Sequence, residues 1–398
     1  MPQAKGLRKA QSYRTVRNVN RARLSQFGRT RAGGKVRSPE YRVRKIAVIA
    51  DFIEEKWPSM DLVAEQLAAH LGEVRGIEAE LVRLPLRVAR SASAATGIER
   101  ALGRFAQLPL ELSLRRLEAS FVHIADHSYA HLAFLYPRAR VGVYCHDIDA
   151  FRALLPESRG PRSRQVLSRL LLQGLRHAHV VFHSTQVVRN QLLEHGLVPA
   201  DRLVHAPYGV ADEYLRVTPV ESARAPYLLH VGSCIPRKNV ELLLRVFARA
   251  SEQRPELRLI QVGGRWTEEQ GRFIAENGIG ERIEQRRGIS RAELAEIYAA
   301  AAAVLVTSTA EGFGLPVIEA LACGTPVIAS DIPVLREVGF QGVEFCPLAQ
   351  LEPWLAAVSA HLARSSRVSG ETRAQIHARY TWQSHARTVA EAYAGKLP

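Results

Sequence analysis

Short β-branched runs alternating with longer amphipathic stretches constrain this chain more than any other feature. From Arg44 onward the segments "KIAVIA", "AELVRL", "ASFVHIA", "RVGVYC" and "HVVFHS" recur, with helical patterns between most of them. Such alternation reads as parallel strands joined by crossover helices. It stops at "HAPYGVADEYLRVTPVESARAP", His205 to Pro226, a Pro-, Gly- and Ala-rich stretch taken as a hinge. A second series follows in "YLLHVGS", "LRLIQVGG", "AAVLVTS" and "TPVIASD", separated by helical patterns such as Val240 to Ala250 and Arg291 to Ala302. The expected fold is α/β, with two doubly wound Rossmann-like domains facing across a cleft, residues 41–210 and 220–380. Residues 381–398 hold an amphipathic helix, Trp382 to Tyr393, expected to pack back towards the first domain. Ligand sites in such sheets lie at the carboxyl ends of strands and between domains.

Ahead of the first strand, residues 1–40 hold eleven Lys/Arg and one acid, so ten of the chain's fifteen net positive charges sit there. That composition, without apolar periodicity, is expected to be a disordered tail. It suits a solvated extension, contact with anionic lipid or nucleic acid, or an organelle transit peptide, with nucleic acid the less expected partner of the whole chain. No apolar run approaches the roughly 18–20 residues of a membrane span, and no secretory signal core is present. A cytoplasmic protein is expected, with a peripheral place at the inner face of the membrane left open. Four scattered cysteines without a C-x-x-C pair suggest neither a disulfide framework nor a thiolate metal site.

The stretch "EGFGLPVIEALACGTPVIASD", Glu311 to Asp331, joins two carboxylates to a glycine-flanked turn and a short apolar helix. Pro316 suits the first helical position and Gly324 the residue past the end. Side chains lean towards a helix N-terminus, so Glu319 should point back at the loop holding Glu311 and Gly312 to Leu315. The usual phosphate loops are missing: no G-x-G-x-x-G follows a strand, and "GRTRAGGKV" lacks the P-loop spacing. Instead "VGSCIPRKN" places Arg237 and Lys238 at a strand's carboxyl end, where two cations can face a diphosphate. The nearby helix N-terminus favours an anion as well. Glu311 and Glu319 would repel phosphate but accept hydrogen bonds from paired hydroxyls. Cations for a diphosphate beside acids for a diol describe a nucleotide-sugar. The competing reading is that Arg237 and Lys238 form ion pairs with Glu311 and Glu319 that stiffen the fold.

The pattern E-G-F-G-L-P-x-x-E-A-x-x-x-G-x-P-V-I, with "YLLHVGS…RKN" and "LRHAHVVFHSTQVVRNQL…YGVADEY", resembles the retaining glycosyltransferases of family four, which have the GT-B fold. The resemblance runs from about Lys45 to the end. It implies a metal-independent enzyme, with no cofactor, that moves a hexose-type sugar from a nucleoside-diphosphate sugar to a hydroxyl acceptor, either a glycan or a lipid-linked saccharide. By resemblance Glu319 holds the ribose hydroxyls, Glu311 the transferred sugar, and the backbone of Phe313, Gly314 and Leu315 the sugar and diphosphate. Arg237 and Lys238 neutralise the leaving group, Gly232 belongs to the donor site, and Ile289 lies where the family's backbone meets the base. A nucleotide-sugar epimerase on the same scaffold, or a binding protein acting through its basic tail, are the alternatives.

The first domain is expected to bind the acceptor. In "ADFIEEKWPSMDLVAEQL", Ser59 suits an N-cap, and Trp57 with Pro58 stands where many relatives have a glycine-rich loop. Trp57 is thus a candidate for stacking on a sugar or for packing at the domain edge. Asp126, His127, His146 and Asp147 end two strands and are candidates to line the cleft, His146 standing at the "HD" position that the resemblance puts near the transferred sugar. His127 and His131 have metal-pair spacing without a third ligand, and the D-x-D of "HDID" reads as a loop. The basic amphipathic stretch "RSRQVLSRLLLQGLRHAHV" suits membrane contact, but is expected to bury Leu167, Leu170, Leu171 and Leu175 against its own sheet.

Overall fold

A computed structural model describes residues 44–88, 96–220, 226–339, 341–364 and 367–395. The basic tail and its "GRTRAGGKV" segment lie outside the described residues. The first sheet contains β1 (Arg44–Ile49), β2 (Ile77–Val82), β3 (Phe121–Ile124), β4 (Val141–Cys145), β5 (Val180–His183) and β6 (Leu203–His205). The second contains β7 (Tyr227–Gly232), β8 (Arg258–Gly263), β9 (Ile283–Arg286), β10 (Ala303–Val306), β11 (Val327–Ser330) and β12 (Val343–Cys346). Every pairing is parallel. Parallel sheets are covered on both faces, which is why Ile46 to Ile49, Val141 to Cys145 and Ala303 to Val306 are continuously apolar and buried.

The strand order fixes where ligands can enter. In the first sheet it is β2-β1-β3-β4-β5-β6, and in the second β12-β11-β10-β7-β8-β9. The chain reverses its direction of winding between β1 and β3 in one and between β7 and β10 in the other, opening a crevice at those carboxyl ends. Residues 50–57 and 125–127 leave the first switch point, and residues 233–239 and 307–315 leave the second. The candidate site residues, except Glu319, Ile289 and Gly232 at the end of β7, lie in these connections or in the one after β4.

The helix Trp382–Tyr393 packs against the helix Pro58–Leu71 of the first sheet. Tyr393 stacks on Phe121 at 4.8 Å, and its hydroxyl lies 3.0 Å from His123 Nδ1. The Trp382 backbone also presses against Gly209, where a Cβ would come within 2.2 Å of the Trp382 nitrogen. The C-terminal helix thus crosses back to the first lobe.

Two local expectations are corrected. Ser59 is not an N-cap: the helix begins at Pro58, whose fixed φ suits the first turn, and Trp57 takes the cap position without a side-chain hydrogen bond. The helix Arg162–His177 buries Leu171, Leu172 and Leu175 with Gln165 and Ser168, while Leu167 and Leu170 are 39% and 37% exposed. Polar anchors set that phase. Gln165 Nε2 donates to the Gly160 carbonyl at 2.8 Å, and Ser168 Oγ to that of Ala150 at 2.6 Å. Gly174 admits the Ala130 carbonyl where a Cβ would meet it at 2.2 Å.

Candidate functional site

The second switch point gathers most of the charge. Pro236–Lys238 is a short 3₁₀ turn, Asn239 is left-handed, and the helix Val240–Gln253 follows. The loop after β10 is fastened to this turn: the Thr309 N–H donates to the Arg237 carbonyl at 2.8 Å, and Thr307 Oγ1 to that of Lys238 at 2.9 Å. Both cations therefore reach Glu311. Lys238 Nζ lies 2.5 Å from Glu311 Oε1 and Arg237 Nη1 3.1 Å from Oε2, while Ser308 Oγ donates to Oε1 at 2.7 Å. The Glu311 side chain is 6% exposed. Burial alone would raise its pKa, but Lys238, then Arg237 and the hydrogen bonds, hold it below the ordinary carboxylate value.

The ion-pair reading of the sequence is thus realised for Glu311, though not for Glu319. Nor does it exhaust the cations. An ammonium has three donors and a guanidinium five, so both cations keep donors to spare beside Glu311 and Asp149, whose Oδ2 lies 3.8 Å from Arg237 Nε. A third contribution comes from the helix Leu315–Ala322, which starts one residue earlier than expected, with Pro316 still in its first turn. Among the described residues no acceptor is found for the backbone N–H groups of Phe313, Gly314 and Leu315. They stand at the positive end of the helix dipole.

Glycines shape this turn. Gly314 has φ +97°, and a Cβ there would lie 2.7 Å from Leu335 Cδ2. Gly312 meets the other lobe: a Cβ would come within 2.2 Å of the His146 carbonyl oxygen. Its own carbonyl accepts from Ser184 Oγ at 3.1 Å and Thr185 Oγ1 at 3.2 Å. Gly312→Ala must therefore push the lobes apart against backbone rather than a pliable side chain. The expected result is at least about a tenfold loss of turnover with a lowered Tm, read by steady-state kinetics and thermal melting.

Glu319 is held differently. It is 6% exposed, and the Tyr298 hydroxyl donates to its Oε2 at 2.9 Å. Burial pushes its pKa up to about 7, against a lowering contribution from Tyr298. Its Oε1 takes no protein partner among the described residues. Phe313 turns its ring into an aromatic cluster between the lobes, edge-on to Tyr208 at 4.9 Å and Tyr380 at 5.6 Å, so its backbone is what faces the turn. Gly232 ends β7 beside the Lys238 side chain, and Ile289 packs half-buried on the core.

The first-lobe candidates are less available than their sequence positions suggest. Both nitrogens of the buried His146 ring are engaged, Nδ1 by the Tyr208 hydroxyl and Nε2 by the Ala125 carbonyl at 2.8 Å. Its backbone carbonyl, not its imidazole, meets Gly312. The His146 ring is thus hydrogen-bonded within the protein, as a structural histidine would be. Asp126 is buried and caps the segment His127–Leu135 by accepting from the Ser128 N–H. His127 is buried, with Nε2 3.6 Å from Asp147 Oδ1. His131 faces elsewhere, its Nε2 2.9 Å from the Arg104 carbonyl, so His127 and His131 do not form a metal pair. In "HDID", Asp147 Oδ1 accepts from the Asp149 N–H at 2.9 Å, and Asp149 pairs with Arg152 at 2.6 Å and with Arg237 at 3.8 Å. Trp57 is 37% exposed beneath the Arg104 guanidinium.

Sequence reasoning missed Ser308, Tyr298 and Asp51. Ser308 and Tyr298 hold the two glutamates, and the cue for Ser308 was its place in the loop after "AAVLV". Asp51 follows β1 at the first switch point, is 4% exposed, and leaves Oδ2 without a partner. Burial, then Asp126 nearby, raises its pKa well above the usual carboxylate range.

Residues 215–344 match the family model described as "Glycosyl transferases group 1". Among curated proteins, the "O-antigen chain mannosyltransferase B" of Escherichia coli is 30% identical over 233 residues, covering 55% of this chain and 59% of that protein. The chain thus spans little more than half the length of such relatives. Among solved structures, a sucrose-phosphate synthase from Thermosynechococcus elongatus superposes with a TM-score of 0.70 at 19% identity, over 88% of this chain and 98% of that one. Anabaena HepE, whose crystals held UDP and glucose, superposes at 0.65 and 17% identity, over 88% and 99%. At such identity these likenesses establish the fold, which is the two-domain α/β GT-B architecture.

Proposed function

We propose that this chain is a retaining, metal-independent glycosyltransferase that moves a hexose-type sugar from a nucleoside-diphosphate sugar to a hydroxyl acceptor, a glycan or a lipid-linked saccharide. The observation that carries this reading is the division of labour at the second switch point: Arg237, Lys238 and three unpartnered N–H groups on one side, the buried Glu319 on the other. The matched family model and the mannosyltransferase likeness support the same class.

Cleaving the anomeric bond places negative charge on the departing diphosphate and positive charge on the sugar ring. Arg237, Lys238 and the amides of Phe313, Gly314 and Leu315 sit fixed where the first can be met, so little reorganisation accompanies reaction. They supply the neutralisation that a divalent cation gives elsewhere. Glu311, kept ionised by its neighbours, offers a negative group towards the ring. Glu319 accepts from the ribose hydroxyls through its open oxygen. Asp51 and the Asp126–His127 pair mark the acceptor side, with Trp57 at its edge.

The test is to screen nucleotide-sugars by thermal shift and then follow nucleotide release with and without saccharide acceptors. Release only with acceptor, unaffected by EDTA, with a product whose anomeric NMR coupling matches the donor's, is the expected result. Donor conversion without release would mark an epimerase, inversion would end the retaining assignment, and loss of release in EDTA would end metal independence.

A further inference from the structure

Away from the cleft, the first lobe carries a surface that the proposed chemistry leaves unused. A cavity of about 470 Å³ is lined by Phe105, Pro109, Phe134, Val166, Leu167 and Leu170, together with His131 and Ser163. The rotation of the helix Arg162–His177 described above brings its three aliphatic residues there, with Val166 64% exposed. Among the described residues, nine of the fifteen exposed large hydrophobics lie between Ile98 and Leu170. Soluble surfaces seldom gather apolar side chains in this way without something to cover them.

The surrounding charge says what kind of cover fits. From Ser158 to Leu193 the sequence contains no Asp or Glu, while Arg159, Arg162, Arg164 and Arg169 flank the exposed aliphatics. Arg138 and Arg140 follow Phe134 closely. Among the described residues none of these six arginines has an ion-pair partner. An apolar groove whose own segments carry these cations without ion-pair partners repels a second copy of itself. It is complementary to an interface that offers hydrocarbon beneath a layer of negative charge.

We propose that this face of the first lobe docks on an anionic lipid bilayer, lying in the headgroup region rather than crossing it. No helix among the described residues is long and apolar enough to span. Phe134, Val166, Leu167 and Leu170 enter the acyl boundary, and the arginines bind headgroups. The segment His127–Leu135 runs from the cleft to the groove. At about 2 Å per residue it places His127 about 14 Å from Phe134. If the proposed function holds, the acceptor side of the cleft then faces a lipid-linked saccharide held in the same bilayer; docking itself needs no donor and stands apart from that reading.

All four native cysteines are buried, so Val166→Cys in the full chain accepts a polarity-sensitive fluorophore selectively. Its emission is expected to shift to the blue with vesicles of phosphatidylcholine and phosphatidylglycerol, and not with phosphatidylcholine alone. Phe134→Glu with Leu167→Glu, or Arg162→Glu with Arg164→Glu, should each lower co-sedimentation with anionic vesicles by at least about tenfold, with nucleotide-sugar binding unchanged. These residues are exposed, and circular dichroism checks that the variants fold. The proposal is overturned if the probe stays in water while the protein still binds vesicles, which would assign binding to the basic N-terminus. It is equally overturned if the charge-reversed variants bind as well as the native chain, if the shift follows protein concentration without lipid, or if polyglutamate produces it and vesicles do not.

Discussion

Replacing Arg237 and Lys238 together by Ala is expected to lower kcat by about a hundredfold to a thousandfold, the usual cost of removing fixed positive groups from developing negative charge. Unlike a change at an open anion site, it should also lower stability. Glu311 loses both of its cationic partners while remaining buried, and stranding a buried carboxylate costs about 3–5 kcal/mol. The pH dependence identifies the cause. In the native protein the Glu311 pKa is depressed, so its contribution is complete above the ordinary carboxylate value and is lost only as the pH falls through the lowered one. In the double variant only the Ser308 hydrogen bond opposes burial and the pKa rises, so stability should now fall as the pH rises above the ordinary carboxylate value, where the native protein loses none through this group.

Because the cations touch a protein carboxylate, loss of activity alone does not separate a structural role from a catalytic one. A double-mutant cycle on the Glu311→Gln background does. Should Arg237 and Lys238 act only by holding Glu311, removing them from a chain in which that carboxylate is already an amide costs nothing further in kcat. If they act on the diphosphate, a further loss of about a hundredfold persists while Tm recovers. Kinetics and melting of the four proteins decide the matter.

The architecture was legible because parallel sheets demand continuous apolar strands, and segments such as "RVGVYC" and "AAVLV" have no other good use. The terminal helix could be read to the residue, from Trp382 to Tyr393, since Thr381 caps its start and its apolar period is clean. The phase of the helix Arg162–His177 was not legible. Aliphatics at 166, 167, 170, 171, 172 and 175 cover so wide an arc that periodicity allows several buried faces, and the choice was made by Gln165, Ser168 and Gly174 through partners outside the helix, Gly160, Ala150 and Ala130. Ser59 misled because Ser is a good cap in isolation, whereas the adjacent Pro58 can itself open the helix.

The site divides along the same line. Residues that meet through one loop and its helix, Glu311 to Glu319, could be placed from local geometry alone. Whether Lys238 faces a ligand or Glu311 depends on how the loops after β7 and β10 are tied together, and that rests on Thr307 and Thr309 reaching backbone about seventy residues away. Tyr298 bonds to Glu319 from a neighbouring helix, and nothing in "AEIYAA" announces it. The saturation of His146 by Tyr208 and Ala125 is of the same kind. A motif shows which residues share one switch point; the shell that sets their pKa values belongs to the tertiary fold.

Glu319 supplies the second large effect, as a proton released on binding. Its pKa is pushed up to about 7 by burial, Tyr298 opposing. A raised carboxyl favours the protonated folded state, so its contribution to stability is complete below the ordinary value near 4.5 and is lost as the pH rises through 7, by about 3 kcal/mol in all. Vicinal ribose hydroxyls donate to the carboxylate, not to the acid, and must draw that pKa down. Nucleotide binding at pH 6–7 is therefore expected to release close to one proton at the lower end and none by pH 9. Affinity should fall towards tenfold per pH unit below 7 and be level above it. Titration calorimetry in buffers of different ionisation enthalpy measures the proton directly. Glu319→Gln should abolish the release and weaken nucleotide binding by about ten- to a hundredfold. Tyr298→Phe, which removes the lowering hydrogen bond, should move the inflection to higher pH. Binding without proton exchange, at an affinity that Glu319→Gln leaves untouched, would place the ribose away from this carboxylate and reduce its burial beside Tyr298 to a feature of packing.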